Sequence, residues 1–350
     1  MPAGSWRRLS DLYRLSNPVG ARSLSSHGGL PTMFYSIRHV TRFRYCGPVS
    51  ESMMEVRMHP RSDGNQRCLS FQLSVHPRAR VFHYRDYLGN SVHHFDVPGQ
   101  HTQLYIIAEV LVDVQPANAL PYSLPASAWD DLDRIVAGSD YYEMLIPSQF
   151  SKPTPALLDL AKKLGVERRD DPLRLLRELN AGVYHWFDYV PRSTKVDSPI
   201  DDAIAAGRGV CQDFAHIMIA LGRELRIPCR YVSGYLFHVG GDTERSLEGA
   251  THAWMEAFLP ELGWIGFDPT NNTVADDQHV RTAIGRDYAD VPPTKGTYKG
   301  NVDSELSVSV VVTPSDSLPP LDDDIRLTDN WSTFSAADQE LEQQQQQQQQ

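Results

Sequence analysis

Apolar and polar residues alternate along the chain from Phe34 onward. Tyr35, Ile37, Thr41, Phe43 and Tyr45 fall on one face of an extended segment, and Ser36, Arg38, Arg42 and Arg44 on the other. The same period of two returns at Leu69, Phe71, Leu73 and Val75, with Ser70, Gln72, Ser74 and His76 between them. Leu88-Gly89-Asn90 reads as a turn between strands at 81–87 and 91–97. A further strand at 104–114 places Leu104, Ile106, Ala108, Val110, Val112 and Val114 on one side. Short strands separated by turn signals, with no helix between them, predict a β-sandwich-like domain over residues 33–116.

The period then changes. Residues 116–125, which contain Pro and Ser, break the alternation and link the two parts. Thr154-Pro155 supplies an N-cap and a first-turn proline, Leu157, Leu160, Ala161 and Leu164 an apolar face, and Gly165 a stop. Asp171-Pro172 repeats the start signal for a longer helix to about Tyr189, with Leu173, Leu176, Leu179, Val183 and Phe187 spaced three to four apart. A third helix is predicted from Cys211 to Leu225, and strands at 230–237, 251–259, 264–267 and 305–312. Helices followed by antiparallel strands predict an α+β domain over residues 117–315.

The flanks carry neither period. Residues 1–32 contain Arg7, Arg8, Arg14 and Arg22 but lack the apolar centre of a secretory signal. They admit an organelle transit peptide or a disordered extension; the abrupt onset of pattern at Phe34 favours the extension, with Met33 opening the folded part. Residues 316–350, with Asp322-Asp323-Asp324 and the run Gln343–Gln350, read as a disordered acidic and Gln-rich tail.

Composition narrows the picture. With 350 residues, 41% of them hydrophobic, the chain can bury a sizeable core and suits two domains. Lys plus Arg number 33 against 44 Asp plus Glu, a formal charge of −11, which argues against a nucleic-acid partner because no basic face stands out. No stretch reaches the ~20 apolar residues of a membrane span. The four cysteines, Cys46, Cys68, Cys211 and Cys229, match neither a zinc ribbon nor a CxxC pair. Their dispersal points to a reducing, cytoplasmic setting, with a Cys46–Cys68 cross-strand disulfide as the alternative.

The chemistry concentrates at Gly207-Arg-Gly-Val-Cys211-Gln-Asp-Phe-Ala-His216. Glycines let the backbone turn tightly, and the helix behind them starts at the cysteine. A thiol there feels the positive end of the helix dipole, which favours the nucleophilic thiolate. The unpaired first-turn N–H groups can face an oxyanion on an attacked carbonyl. Taken alone, Cys211 could equally be a buried packing residue. A hairpin raises its standing: Thr251–Leu259 and Trp264–Asp268 flank a turn at 260–263. If Phe258 pairs with Trp264, Trp254 lies across from Asp268 and His252 lies diagonal to it on the same face. Asp268 could then hold one imidazole nitrogen, leaving the other for Cys211. A slip of one residue would separate the pair. His216 and Asp213 read as a core or capping histidine and a dipole-complementing carboxylate, and Trp254 and Trp264 as packing or cleft walls. Cys211, His252, Asp268 and His238 are zinc-ligand types, but their spacing makes no metal motif, and no cofactor is expected.

The order of these pieces resembles the transglutaminase-like superfamily. His-Ala-Trp at 252–254 and Trp-Ile-Gly-Phe-Asp-Pro-Thr at 264–270 follow a Gly-Val-Cys-Gln-Asp-Phe-Ala-His segment similar to that of its bacterial, cysteine protease-like branch. The opening 35–45 with Gly47-Pro48-Val49, and Gly285–Val291, also resemble that branch, so the likeness spans about 33–313. It implies a papain/transglutaminase-like core preceded by the β-sandwich-like domain. Cys211 would be the nucleophile, His252 the base and later the acid, and Asp268 the orienting carboxylate. The implied chemistry attacks a carboxamide or peptide carbonyl of a peptide or protein substrate, forms a thioester and resolves it with water or an amine. Trp186 does not match the family's oxyanion tryptophan in separation, and that role stays unassigned. Three functions follow: hydrolysis of peptide or isopeptide amides, glutamine transamidation or deamidation, and a non-catalytic binding module on the same fold.

Overall fold

β1 (Met33–Val56) is a strand of 24 residues whose buried face changes parity. Tyr35, Ile37, His39, Thr41, Tyr45 and Val49 point inward, and after them Ser52, Met54 and Val56. The switch falls at Glu51, where φ is 52° and the pairing register slips between Ser50 and Met53. A bulge of this kind swaps faces and bends the strand, so one strand can serve two sheets. This and everything below refer to a computed structural model that describes residues 33–138, 140–238, 245–246 and 249–315. The expectations for residues 1–32 and 316–350 lie outside these residues.

The first half of β1 sits between β5 (His101–Val114) and β14 (Ser304–Ser315), and β2 (Gln66–His76) pairs along β5. The second half runs between β4 (Ser91–Val97) and β13 (Thr294–Lys299), with β3 (Phe82–Arg85) beyond β4. The β-rich layer is therefore closed by strands from the far end of the chain. The alternation of Leu306, Val308 and Val310 was visible in sequence, and those residues are buried here, but their partner is β1 rather than a neighbour in the second segment.

The second layer is α+β. Helices α1 (Ala128–Val136), α2 (Tyr142–Leu145), α3 (Pro155–Leu164), α4 (Pro172–Trp186), α5 (Ile200–Ala206) and α6 (Cys211–Glu224) accompany a five-stranded antiparallel sheet. Its order is β11 (Thr273–Val274), β10 (Gly263–Asp268), β9 (His252–Leu259), β8 (Cys229–Leu236) and β12 (His279–Gly285). A two-residue parallel bridge, β6 (Asp188–Tyr189) with β7 (Arg208–Gly209), precedes α6. α3 and α4 start as their caps dictate: Thr154 Oγ1 accepts from Leu157 N at 3.2 Å and Asp171 Oδ1 from Arg174 N at 2.9 Å. Every residue of α6 from Cys211 to Arg223 is buried, which makes it the central helix of the layer. Near its end the Arg223 guanidinium donates to the carbonyls of Met144, Cys229 and Arg286 and to the hydroxyls of Ser148 and Ser151. This tight set of acceptors is how a cation is tolerated in the interior.

β12 is the edge of its sheet, and the β-rich layer covers it. Asn90 Nδ2 donates to Ile284 O at 2.8 Å while its Oδ1 accepts from Ile284 N at 2.9 Å. Gln66 treats Arg281 the same way, at 2.9 and 2.8 Å. Each side-chain amide stands in for the peptide of a missing neighbour strand. Asn90→Ala strips both partners from Ile284, so it should lower stability by about 2–4 kcal/mol. A denaturant midpoint unchanged within error would refute this role. All four cysteines are unpaired. No helix among the described residues is long and apolar enough to cross a membrane.

Candidate active site

The nucleophile turn is built from residues that leave the backbone few alternatives. α5 ends at Gly207 with φ 64°, a left-handed conformation that suits glycine. A Cβ on Gly209 would lie 2.8 Å from Asp213 Oδ2 and 3.1 Å from the Phe214 ring, so only glycine lets the turn lie against α6. Asp213 accepts hydrogen bonds from Val210 N at 2.9 Å and from the Thr194 hydroxyl. Burial pushes its carboxyl up to about 6 in spite of these donors. Gln212 Nε2 donates to Val196 O at 2.8 Å. The residues on either side of Cys211 are thus tied directly or through Asp213 to the loop at 190–198, while Cys211 faces a narrow pocket of about 30 Å³. Gln212, Tyr231, Ser233, His252 and Tyr288 share its lining.

The other two residues come from the β9–β10 hairpin, in the register expected: Phe258 lies opposite Trp264, and Met255 opposite Phe267. His252 Nε2 and Asp268 Oδ2 are 2.8 Å apart. Asp268 is fully buried and held on every side: Oδ1 accepts from Thr270 N (2.9 Å) and Asn271 N (3.3 Å), and Oδ2 also accepts from Asn271 Nδ2 (2.8 Å). With Nε2 committed to the carboxylate, Nδ1 is the nitrogen left for the Cys211 sulfur, which adjoins the ring closely enough to act on its proton affinity. Burial alone would make His252 harder to protonate, but the Asp268 carboxylate and then the sulfur outweigh it and lift its pKa to about 10. For Asp268, burial favours the acid, yet His252 and His279 hold it well below the usual carboxylate range.

His279 is the residue that sequence reasoning missed. Its Nε2 lies 3.4 Å from Asp268 Oδ2 and its Nδ1 3.0 Å from Asp276 Oδ1. Nothing in its neighbourhood signalled this, since β12 shows no clean alternation and its pairing with β8 spans 43 residues from His279 to Leu236. His252, Asp268 and His279 offer donor atoms within 4.8 Å of one another, the spacing a metal ion would need. The imidazole–carboxylate contacts already occupy those atoms.

The residues set aside from the site behave as packing groups. His216 is buried against Phe150 and Tyr231 and accepts from Tyr288 N at 3.1 Å; burial pushes it down to about 3, so it is neutral. Trp254 is fully buried, and Trp264 lies beneath the Arg230 guanidinium at 4.0 Å. Trp186 is 37% exposed at the end of α4 under Lys163.

A cysteine heading a buried helix, against a histidine–aspartate pair on an antiparallel sheet, is a thiol-type α+β layout. Residues 35–113 match the bacterial transglutaminase-like N-terminal region, and residues 159–269 match the transglutaminase-like superfamily. The chain belongs to the transglutaminase-like superfamily. An uncharacterised protein of Mycobacterium leprae is 32% identical over 277 residues, 79% of this chain and 96% of its own. A Pseudomonas aeruginosa protein-glutamine gamma-glutamyltransferase is 30% identical over 118 residues, 31% of this chain and 18% of that protein. The crystal structure of a candidate cysteine protease from Cytophaga hutchinsonii shares the fold, with a TM-score of 0.64 at 23% identity, covering 82% of this chain and 93% of that one.

Proposed function

We propose that the chain is a cysteine-dependent acyl-transfer enzyme that hydrolyses peptide or isopeptide amide bonds through a thioester. The observation that carries this is the fully buried Asp268 fixing His252 Nε2 at 2.8 Å, beside a sulfur at a helix start. In this reading His252 Nδ1 takes the Cys211 proton as the sulfur attacks the carbonyl carbon. The oxyanion faces the first-turn N–H groups of α6. Collapse breaks the C–N bond, the proton passes from His252 to the leaving nitrogen, and a thioester remains. Water, deprotonated by His252, attacks the thioester; the C–S bond breaks and the sulfur recovers its proton.

A second reading replaces that water with an amine, giving protein-glutamine transfer. The Pseudomonas aeruginosa gamma-glutamyltransferase favours it, since its likeness includes part of this chain. The two readings share every step up to the thioester and part at the acceptor.

Peptides bearing glutaminyl, isopeptide or plain amide bonds, offered with and without a primary amine, test both by intact mass. The expected result is an acyl adduct on Cys211 that discharges mainly to acid, with amine adduct in the minority. Dominant amine adduct would install the second reading. No Cys211-dependent adduct with any peptide would overturn both and favour a binding module. Iodoacetamide supplies a control that needs no substrate. Cys211 should label faster than exposed Cys46, whereas burial pushes the Cys68 thiol up to about 11 and the Cys229 thiol to about 12 and keeps them slow.

A further inference from the structure

Asp268 faces two imidazoles, and the proposed mechanism uses one. The Nδ1 of His279 meets two groups of Asp276: the carboxylate Oδ1 at 3.0 Å and the backbone N–H at 3.2 Å. If the ring is neutral, Nδ1 can accept from the Asp276 N–H and the proton sits on Nε2. If it is charged, Nδ1 donates to Oδ1 and Nε2 again carries a proton. The third arrangement, neutral with the proton on Nδ1, would aim a lone pair at the Asp268 carboxylate 3.4 Å away. In both acceptable states Nε2–H points at Asp268.

We propose that His279 is the positioning residue of this site: as an imidazolium between Asp268 and Asp276, it holds Asp268 Oδ2, the oxygen that His252 also uses, and draws part of that carboxylate's charge toward itself. This rests on the reading of Cys211, His252 and Asp268 as the reacting set. The charges then alternate from the His252 cation through the Asp268 anion and the His279 cation to the Asp276 anion. The two imidazole rings are 6.3 Å apart, close enough for like charges to disfavour each other. Both rings are more than nine-tenths buried, so screening by solvent is weak. The titratable groups facing His279 are Asp268 on β10, Asp276 in the turn before it and His252 on β9, with Asp277 and the Tyr35 hydroxyl beyond Asp276. The contact with Trp254 at 5.2 Å adds no charge. Burial opposes protonation of His279, but Asp268 and Asp276 together raise its pKa.

The consequence is functional. His252 must hold the thiol proton and later release it to the leaving nitrogen. A second cation on Asp268 eases that release, which a merely structural histidine would not do.

The test is ¹⁵N NMR of the histidine side chains across pH in the full chain, in wild type, His279→Gln and Asp276→Asn. Glutamine keeps an N–H donor toward Asp268 but no charge. The expected wild-type result is His279 protonated on both nitrogens at pH 7. In His279→Gln the His252 titration should move upward by one pH unit or more, a tenfold change in its imidazolium-to-imidazole ratio. The alkaline limb of acyl transfer should move with it. Asp276→Asn, at a half-exposed carboxylate, should shift His252 the same way by less, and it decides the matter if His279→Gln does not fold. A neutral His279 at pH 7, or a His252 titration unmoved in both variants, would overturn the proposal. The NMR arm needs no turnover: silence of the wild type toward every substrate would sink the acyl-transfer reading on which this one rests, whereas an unmoved His252 titration would sink this proposal alone, so the two failures are told apart.

Discussion

Cys211→Ala should lower kcat/KM for acyl transfer by on the order of 10⁴-fold or more while leaving the fold in place. The side chain is small, lies at the start of α6 and lines a pocket, so losing one sulfur opens little space in the core. Stability should fall by only about 1 kcal/mol, because a single buried sulfur is removed where the core meets the pocket. His252, Asp268 and the helix N-terminus remain, and these can still bind and polarise a carbonyl without a nucleophile. Substrate affinity should therefore change far less than turnover, and the acyl adduct should vanish from the mass spectrum. Cys211→Ser separates attack from shape. The hydroxyl is much less acidic than the thiol, so the same base leaves it a poor nucleophile, and activity should stay near the alanine level. Activity within tenfold of wild type in either variant would mean that the sulfur does not carry the reaction. If the chain is instead a binding module, Cys211→Ala should leave ligand binding untouched and no activity will have been lost.

Local signals carried much of this arrangement. Thr154-Pro155 and Asp171-Pro172 announced α3 and α4, because a cap and a first-turn proline act within four residues. The short turn at 260–263 admits the β9–β10 register that puts His252 and Asp268 on one face, and the observed pairing of Phe258 with Trp264 is that one. What could not be read was whatever depends on distant partners. α5, only seven residues from Ile200 to Ala206, is too short for a period to emerge. Its acidic first turn and closing Gly207 are signals that many loops share. β13 and β14 alternate or lie exposed much as edge strands do, and only pairing with β1, some 250 residues away in sequence, gives them a place. His279 shares this fate, since its role depends on Asp268 across the sheet and on an edge strand held by Asn90 and Gln66 from the other layer. The β-rich layer thus has a physical connection to the site that no motif encodes: it completes the strand on which His279 stands.

Asp268→Asn should cut turnover by roughly 10³- to 10⁴-fold, with Cys211 still present. Asparagine keeps the shape and can still accept from Thr270 N and Asn271 N through one oxygen. The atom facing His252 becomes an amide donor or loses its charge, so Nε2–H has no anionic acceptor. The neutral tautomer with the proton on Nδ1 is then favoured, which aims N–H instead of a lone pair at the sulfur. Stability changes too, with a signature in pH. His252 has a folded pKa raised to about 10, so its contribution is fully present below its unfolded value near 6.5 and is lost as pH rises through about 10. Asp268 is depressed, so its contribution is present above its unfolded value near 3.9 and is lost as pH falls toward its folded value. Both describe one ion pair, whose contribution to stability is complete between roughly pH 4 and 6.5. Wild-type melting temperature should therefore decline from about pH 6.5 toward 10, and that slope should flatten in Asp268→Asn. Asp268→Ala goes further, because it strands His252 in the interior and should cost about 3–5 kcal/mol. An asparagine variant that keeps turnover within tenfold and the wild-type slope above pH 6.5 would show that the buried carboxylate neither orients nor charges His252, and the thiol would need another base.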